Sequence, residues 1–148
     1  MAKNIPLLIA EVKNQGTNEL RAEEGKARQA MGNAVERLGK SVIGLRAAML
    51  SEAIFPFVCF GYGCDFDTGS SILDRVVTIA MFGQLNKTYV MNTGDQGNFN
   101  RGSFYFRREQ WTEREMAEVL FDVAERGLQY YLAKHGVSQF VEREPLSQ

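Results

Sequence analysis

The sequence predicts an α/β protein, a sheet flanked by helices on its faces. Three observations lead to this class. Short apolar runs at residues 5–12, 54–60 and 103–106 have the length and composition of strands. Elsewhere apolar residues recur at spacings of three and four, the period of a helix with one buried face. The two kinds of segment alternate as strand, helix, strand, helix, strands and helix, the order that builds a sheet covered by helices. At 148 residues the chain is expected to be a single domain over 1–148.

The first strand, 5–12, is apolar on both faces and is expected at the centre of the sheet. Residues 14–20 are polar and contain glycine, so they read as a loop or arm, and helical composition begins at Glu23. The clearest helix carries Val35, Leu38, Val42, Leu45 and Met49 on one face. Gly32 and Asn33 stand before it and break the pattern, so residues 29–34 read as either helical or extended. The second strand, 54–60, has Pro56 near its start, where a missing N–H is tolerated, and Gly61-Tyr62-Gly63 ends it. Residues 70–81 form a predicted helix with Leu73, Val76, Val77 and Ala80 on one face. A short strand is expected at 87–92, a Gly- and Asn-rich loop at 93–102 and a further strand at 103–106. Thr112-Glu113-Arg114-Glu115 is a capping box, in which the Thr hydroxyl and the Glu three residues on satisfy each other's backbone amides. The helix it starts carries Met116, Val119, Leu120, Val123, Leu128 and Tyr131, stops at Gly136 and leaves 137–148 as a tail.

The hydrophobic fraction of 45% and the charged fraction of 24% are those of an ordinary globular domain. A net charge of −1 gives no support to nucleic-acid binding by the chain as a whole. Residues 1–50 hold eight Lys or Arg against five Glu, a mild basic bias compatible with a phosphate-facing surface and equally with random scatter. Cys59 lies in an apolar run and reads as a core residue. Neither it nor Cys64 has metal-ligand partners at useful spacing. No signal peptide and no run long enough for a membrane span is visible, so the cytoplasm is the expected location.

The first strand ends on Glu11-Val12-Lys13. Alternate side chains of a strand share a face, so Glu11 and Lys13 project together while Val12 is expected to turn into the core. A carboxylate beside an ammonium suits divalent-metal phosphodiester chemistry: the acid holds a hard cation and the lysine stabilises developing charge or positions water. The same three residues also fit a solvated ion pair at a strand end. Asn33 likewise fits a helix cap, Glu36 and Lys40 an i,i+4 pair, and Arg75 a surface arginine beside Asp74.

Three motifs in order extend the pattern: Ala10-Glu11-Val12-Lys13-Asn14-Gln15-Gly16, Gly32-Asn33-Ala34-Val35-Glu36-Arg37, and Met49-Leu50-Ser51-Glu52 with Phe55-Pro56-Phe57. Together they resemble the EcoRI type of type II restriction endonuclease, densely over residues 7–60 and more thinly at 71–75 and 85–92. The resemblance implies a restriction-endonuclease-like PD-(D/E)xK sheet flanked by helices, and Mg2+-dependent cleavage of double-stranded DNA at a palindromic site by a homodimer. The family's best-known site is GAATTC. It further implies that Glu11 and the Val12 carbonyl bind the metal and that Lys13 is the catalytic lysine. Residues 29–34 would lie extended in the major groove, where Asn33 bonds base edges, Ala30 and Ala34 contact bases, and Gly32 lets the backbone approach. Gln15 would contact a base, Glu36 and Arg37 would couple base contacts to the scissile site, Lys40 would hold a phosphate, and Arg75 would lie near the site. Asn can bond adenine bidentately in the major groove, and a twofold dimer reads a palindrome.

One feature of that family has no counterpart here. Its second metal-binding acid, the Asp of a Pro-Asp-Gly segment, lies some twenty residues upstream of the Glu-x-Lys strand. Residues 1–10 hold no acid. The expectation is a domain lacking the family's N-terminal strands, with an exposed apolar edge beside 5–12, that cleaves DNA poorly or only binds DNA or dimerises.

Overall fold

A computed structural model describes residues 6–15, 18–27, 33–63, 66–67, 85–92 and 100–137. Its elements run β1 (Ile9–Gln15), α1 (Asn18–Glu23), α2 (Asn33–Ala48), β2 (Phe57–Gly63), β3 (Ser103–Arg107) and α3 (Glu113–His135). The strands form a parallel sheet in the order β1-β2-β3, with Glu11 opposite Cys59 and Cys59 opposite Phe104. The α/β class expected from the alternating pattern is the class observed.

The sheet is built outward from β2. Phe57, Val58, Cys59 and Phe60 are all buried, as expected of a parallel strand covered on both faces. Phe57 and Cys59 face α2, whose Val35, Leu38 and Val42 form one core cluster with Phe104 and Phe106 of β3. Val58 and Phe60 face the other way and pack with Val123 and Tyr131 of α3. At roughly 1.5–3 kcal/mol for each large side chain buried, these two clusters outweigh any single polar contact in the structure.

The helix ends follow their local signals. Thr112 caps α3 with both halves of the capping box present, and Gly136 closes it at φ 78° with its N–H donating to the Leu132 carbonyl. Glu115 also pairs with Arg107 at 2.7 Å, and the Arg107 guanidinium lies 3.7 Å from the Trp111 ring centroid. Trp111 in turn donates from its indole to the Gly61 carbonyl at 3.1 Å. Thus the β3–α3 connection is stitched to β2.

Several expectations are corrected. β1 is the edge strand of the sheet formed by the described residues, not its centre, because no described segment pairs on its far side. It continues through Lys13, Asn14 and Gln15, since its pairing with β2 extends to Gly63 and overrides their polarity. Residues 18–20 of the expected loop open the short α1, and the chain leaves that helix at Glu23, where helical composition was expected to begin. Asn33 and Ala34, expected to be extended, are the first residues of α2, and residues 28–32 lie outside the described set. Gly61-Tyr62-Gly63 belongs to β2. Residues 87–92 make only isolated bridges, Lys87 with Phe104 and Met91 with Ile54. Side chains take up backbone groups there that a ladder would use: the Tyr89 N–H donates to Ser103 Oγ at 2.7 Å. The helix expected at 70–81 and the tail from 138 lie outside the described residues, as does most of the 93–102 loop.

Gly63 is required by geometry. Its φ is 102°, and a Cβ built on it would stand 1.8 Å from the Gln15 carbonyl oxygen. Gly63→Ala should therefore destabilise the protein by about 3 kcal/mol or more, measured as a lowered denaturant midpoint. The Glu115 carboxyl is held down to about 2, from an ordinary value of 4.5, first by the Arg107 hydrogen bonds and then by Thr112. The sign follows from the depressed folded value. The pair's contribution is present above about pH 4.5 and is lost as pH falls toward 2. Solvent screens so exposed a pair, so the effect is small. Glu115→Gln should flatten the acid limb of a stability-versus-pH curve while leaving its slope above pH 6 unchanged.

Candidate active site

The pleat of β1 sets the site. Ile9, Glu11, Lys13 and Gln15 point to the α2 side, and Ala10, Val12 and Asn14 to the other. Ile9 joins the α2 core cluster, which fixes the phase of the strand. Glu11 and Lys13 therefore lie side by side over the sheet edge, as expected. Val12 does not face the core as expected: its side chain is 54% exposed. The reason is its place in the sheet. On that face α3 packs over β2, and the edge strand is left open.

The Glu11 carboxylate is asymmetrically held. Oε1 accepts from Lys13 Nζ at 2.6 Å and from Ser41 Oγ at 3.3 Å. Oε2 is buried and has no hydrogen-bond partner among the described residues. The two charged side chains are only about one-fifth exposed, 20% for Lys13 and 21% for Glu11. Cys59, opposite Glu11 on β2, is fully buried, and burial first and the Glu11 charge second push its thiol up, so it stays protonated.

The α2 residues divide between two sides of the helix. Ala34 sits in the core cluster beside Val35 and Leu38, so its methyl faces the sheet. Asn33, Glu36, Arg37 and Lys40 are exposed. Ser41, one turn after Arg37, donates to the Arg37 carbonyl at 3.1 Å as well as lying against Glu11. Gln15, past Lys13 on the same face of β1, is buried at 4% exposure. Thus the described part of the site brings Glu11, Lys13 and Ser41 in the third turn of α2 together. Ala30, Gly32 and Arg75 lie outside the described residues. Ser41 was not foreseen. Its signal was present: it falls three residues after Leu38, on the flank of the buried stripe, where a polar side chain needs a partner.

A divalent cation has a partial fit here. Among the described residues no group of three or more His, Cys, Asp or Glu is placed to hold a metal. Mg2+ is usually held by only one or two carboxylates and keeps several waters. Among the buried side-chain oxygens without a partner in the described residues, Oε2 of Glu11 is the carboxylate one, and such an atom calls for an explanation of this kind.

Comparison with known proteins places this geometry in context. The family model described as restriction endonuclease EcoRI matches residues 2–72, the stretch that contains β1, α2 and β2. The chain is similar to the type II restriction enzyme RsrI of Cereibacter sphaeroides, 31% identical over 155 residues, covering 82% of this chain and 56% of that enzyme. It is similar also to the type II restriction enzyme EcoRI of Escherichia coli, 27% identical over 158 residues, covering 82% of this chain and 57% of that enzyme. The chain thus spans little more than half the length of these relatives. Over the matched region, which carries Glu11, Lys13 and the whole of α2, the chain is similar to the EcoRI type of type II restriction endonuclease.

Proposed function

We propose that this single domain carries the catalytic strand and base-reading helix of a type II restriction endonuclease that hydrolyses duplex DNA with Mg2+. The observation that carries the reading is the Glu11–Lys13 pair, with one carboxylate oxygen left buried and bare, set directly against α2. Glu11 presents Oε2 to the ion, with the Val12 carbonyl as a backbone ligand. The ion, when bound, supplies positive charge to a phosphoryl oxygen and lowers the pKa of water. Lys13 remains on Oε1 and is near enough to donate to developing negative charge or to orient the attacking water. Asn33, Glu36, Arg37 and Lys40 lie on the exposed side of the same helix, where Asn33 can read an adenine edge and Lys40 a phosphate. Gln15, Ala30, Gly32, Ala34 and Arg75 complete the proposed DNA-facing set, with Ala34 acting through its backbone.

A homodimer reading a palindrome, GAATTC being the leading candidate, fits the outer side of α2. Ile43 and Leu50 are 73% and 68% exposed. With Gly39 and Ala47 they line a groove of about 350 Å³, an apolar surface suited to a second copy. The single described carboxylate at the strand end favours a second reading, a chain that binds DNA or dimerises without cutting.

One experiment separates the two. The protein is offered random duplexes at fixed salt, with Mg2+ or EDTA, beside Glu11→Gln and Asn33→Ala. Mg2+-dependent cuts at one site, abolished in Glu11→Gln, support the nuclease. Site-selective binding without cuts, with Asn33→Ala losing about 1–3 kcal/mol of discrimination, supports the second reading. Neither cleavage nor sequence preference contradicts both.

A further inference from the structure

We propose that Ser41 is a positioning residue that orients the Glu11 carboxylate from α2. The inference rests on the cation reading of Glu11. It begins with a proton count. A hydroxyl has one proton, and Ser41 Oγ lies within reach of two acceptors, the Arg37 carbonyl at 3.1 Å and Glu11 Oε1 at 3.3 Å. A helical serine ordinarily returns its proton to the carbonyl four residues back, here that of Arg37. An ionised carboxylate is the stronger acceptor, so the hydroxyl is drawn between its own helix and the strand.

Which oxygen is held decides which one is left for an ion. The last torsion of a glutamate is broad and nearly twofold. Lys13, two residues away on the same strand, can follow the carboxylate as it turns and hold either oxygen. Ser41 is anchored on a different element and reaches only Oε1. Two donors from two elements on one oxygen select one orientation, the one that leaves Oε2 buried and bare. Ser41 thereby keeps the ligand atom aimed before any ion arrives, and it does so from the helix that bears Asn33, Glu36 and Arg37.

The test is a Mn2+ titration by calorimetry of the wild-type protein, Glu11→Gln, Ser41→Ala and Ser41→Thr, with thermal melts of each. Ser41→Ala is expected to weaken Mn2+ binding ~10-fold, the low end for loss of a group that orients a metal ligand. Ser41→Thr, which keeps the hydroxyl, should restore affinity to within ~3-fold of wild type. Loss of binding in Glu11→Gln with unchanged binding in Ser41→Ala overturns the role of Ser41 alone. Equal weakening in the Thr and Ala variants also overturns it, because the hydroxyl is then not the cause. A lower melting temperature in Ser41→Ala with unchanged Mn2+ affinity assigns the residue to folding and overturns it too. Mn2+ binding that ignores Glu11→Gln overturns the cation reading, and this inference with it.

Discussion

Glu11 is held hard at one oxygen and left bare at the other, and the edge of the sheet is arranged around that imbalance. A buried polar atom without a partner costs about 1–3 kcal/mol, and more when charged. Proteins shed such costs unless something else uses the atom. The Lys13 ammonium at 2.6 Å offsets part of it by neutralising the carboxylate. At about one-fifth exposure the pair is neither a weak surface contact nor a fully desolvated one. What it cannot do is satisfy Oε2, and that unsatisfied atom is what gives the strand end its chemical character.

The rest of the fold keeps Glu11 in place. Ile9 locks the phase of β1 by packing under α2, so a slip of one residue would move Glu11 and Lys13 to the open face. β2, buried on both sides, fixes the height of β1 through the parallel register that sets Glu11 beside Cys59. A protonated, apolar thiol there gives Glu11 a dry neighbour rather than a competing donor. Gly63 lets the two strands close at the far end, beside Gln15. The apolar clusters thus supply the stability, and the polar pair spends part of it.

Local signals were legible in the sequence. The capping box at Thr112 lies in four consecutive residues, and the α2 stripe repeats a short period, so neither depends on a distant part of the chain. The Glu11–Lys13 pairing followed from the pleat alone. Sheet order was not legible, because an apolar strand looks the same at the centre and at the edge; its neighbours come from segments far along the chain. That is why Val12 was misplaced. Residues 87–92 misled for a related reason: the Ser103 hydroxyl takes up the N–H and the carbonyl of Tyr89, groups that a sheet ladder would use. The place of Ser41 on the flank of the buried stripe was legible, but its partner, 30 residues away, was not. The family motifs pointed to the acid and the lysine but not to the hydroxyl between helix and strand.

All of this turns on whether Glu11 Oε2 is a cation ligand. Crystals soaked in Mn2+ and measured at the manganese absorption edge test it most directly. A cation ligand there gives an anomalous peak at bonding distance from Glu11 Oε2 that is absent in Glu11→Gln crystals. A strand end without a peak, or a peak that survives the substitution, would contradict it.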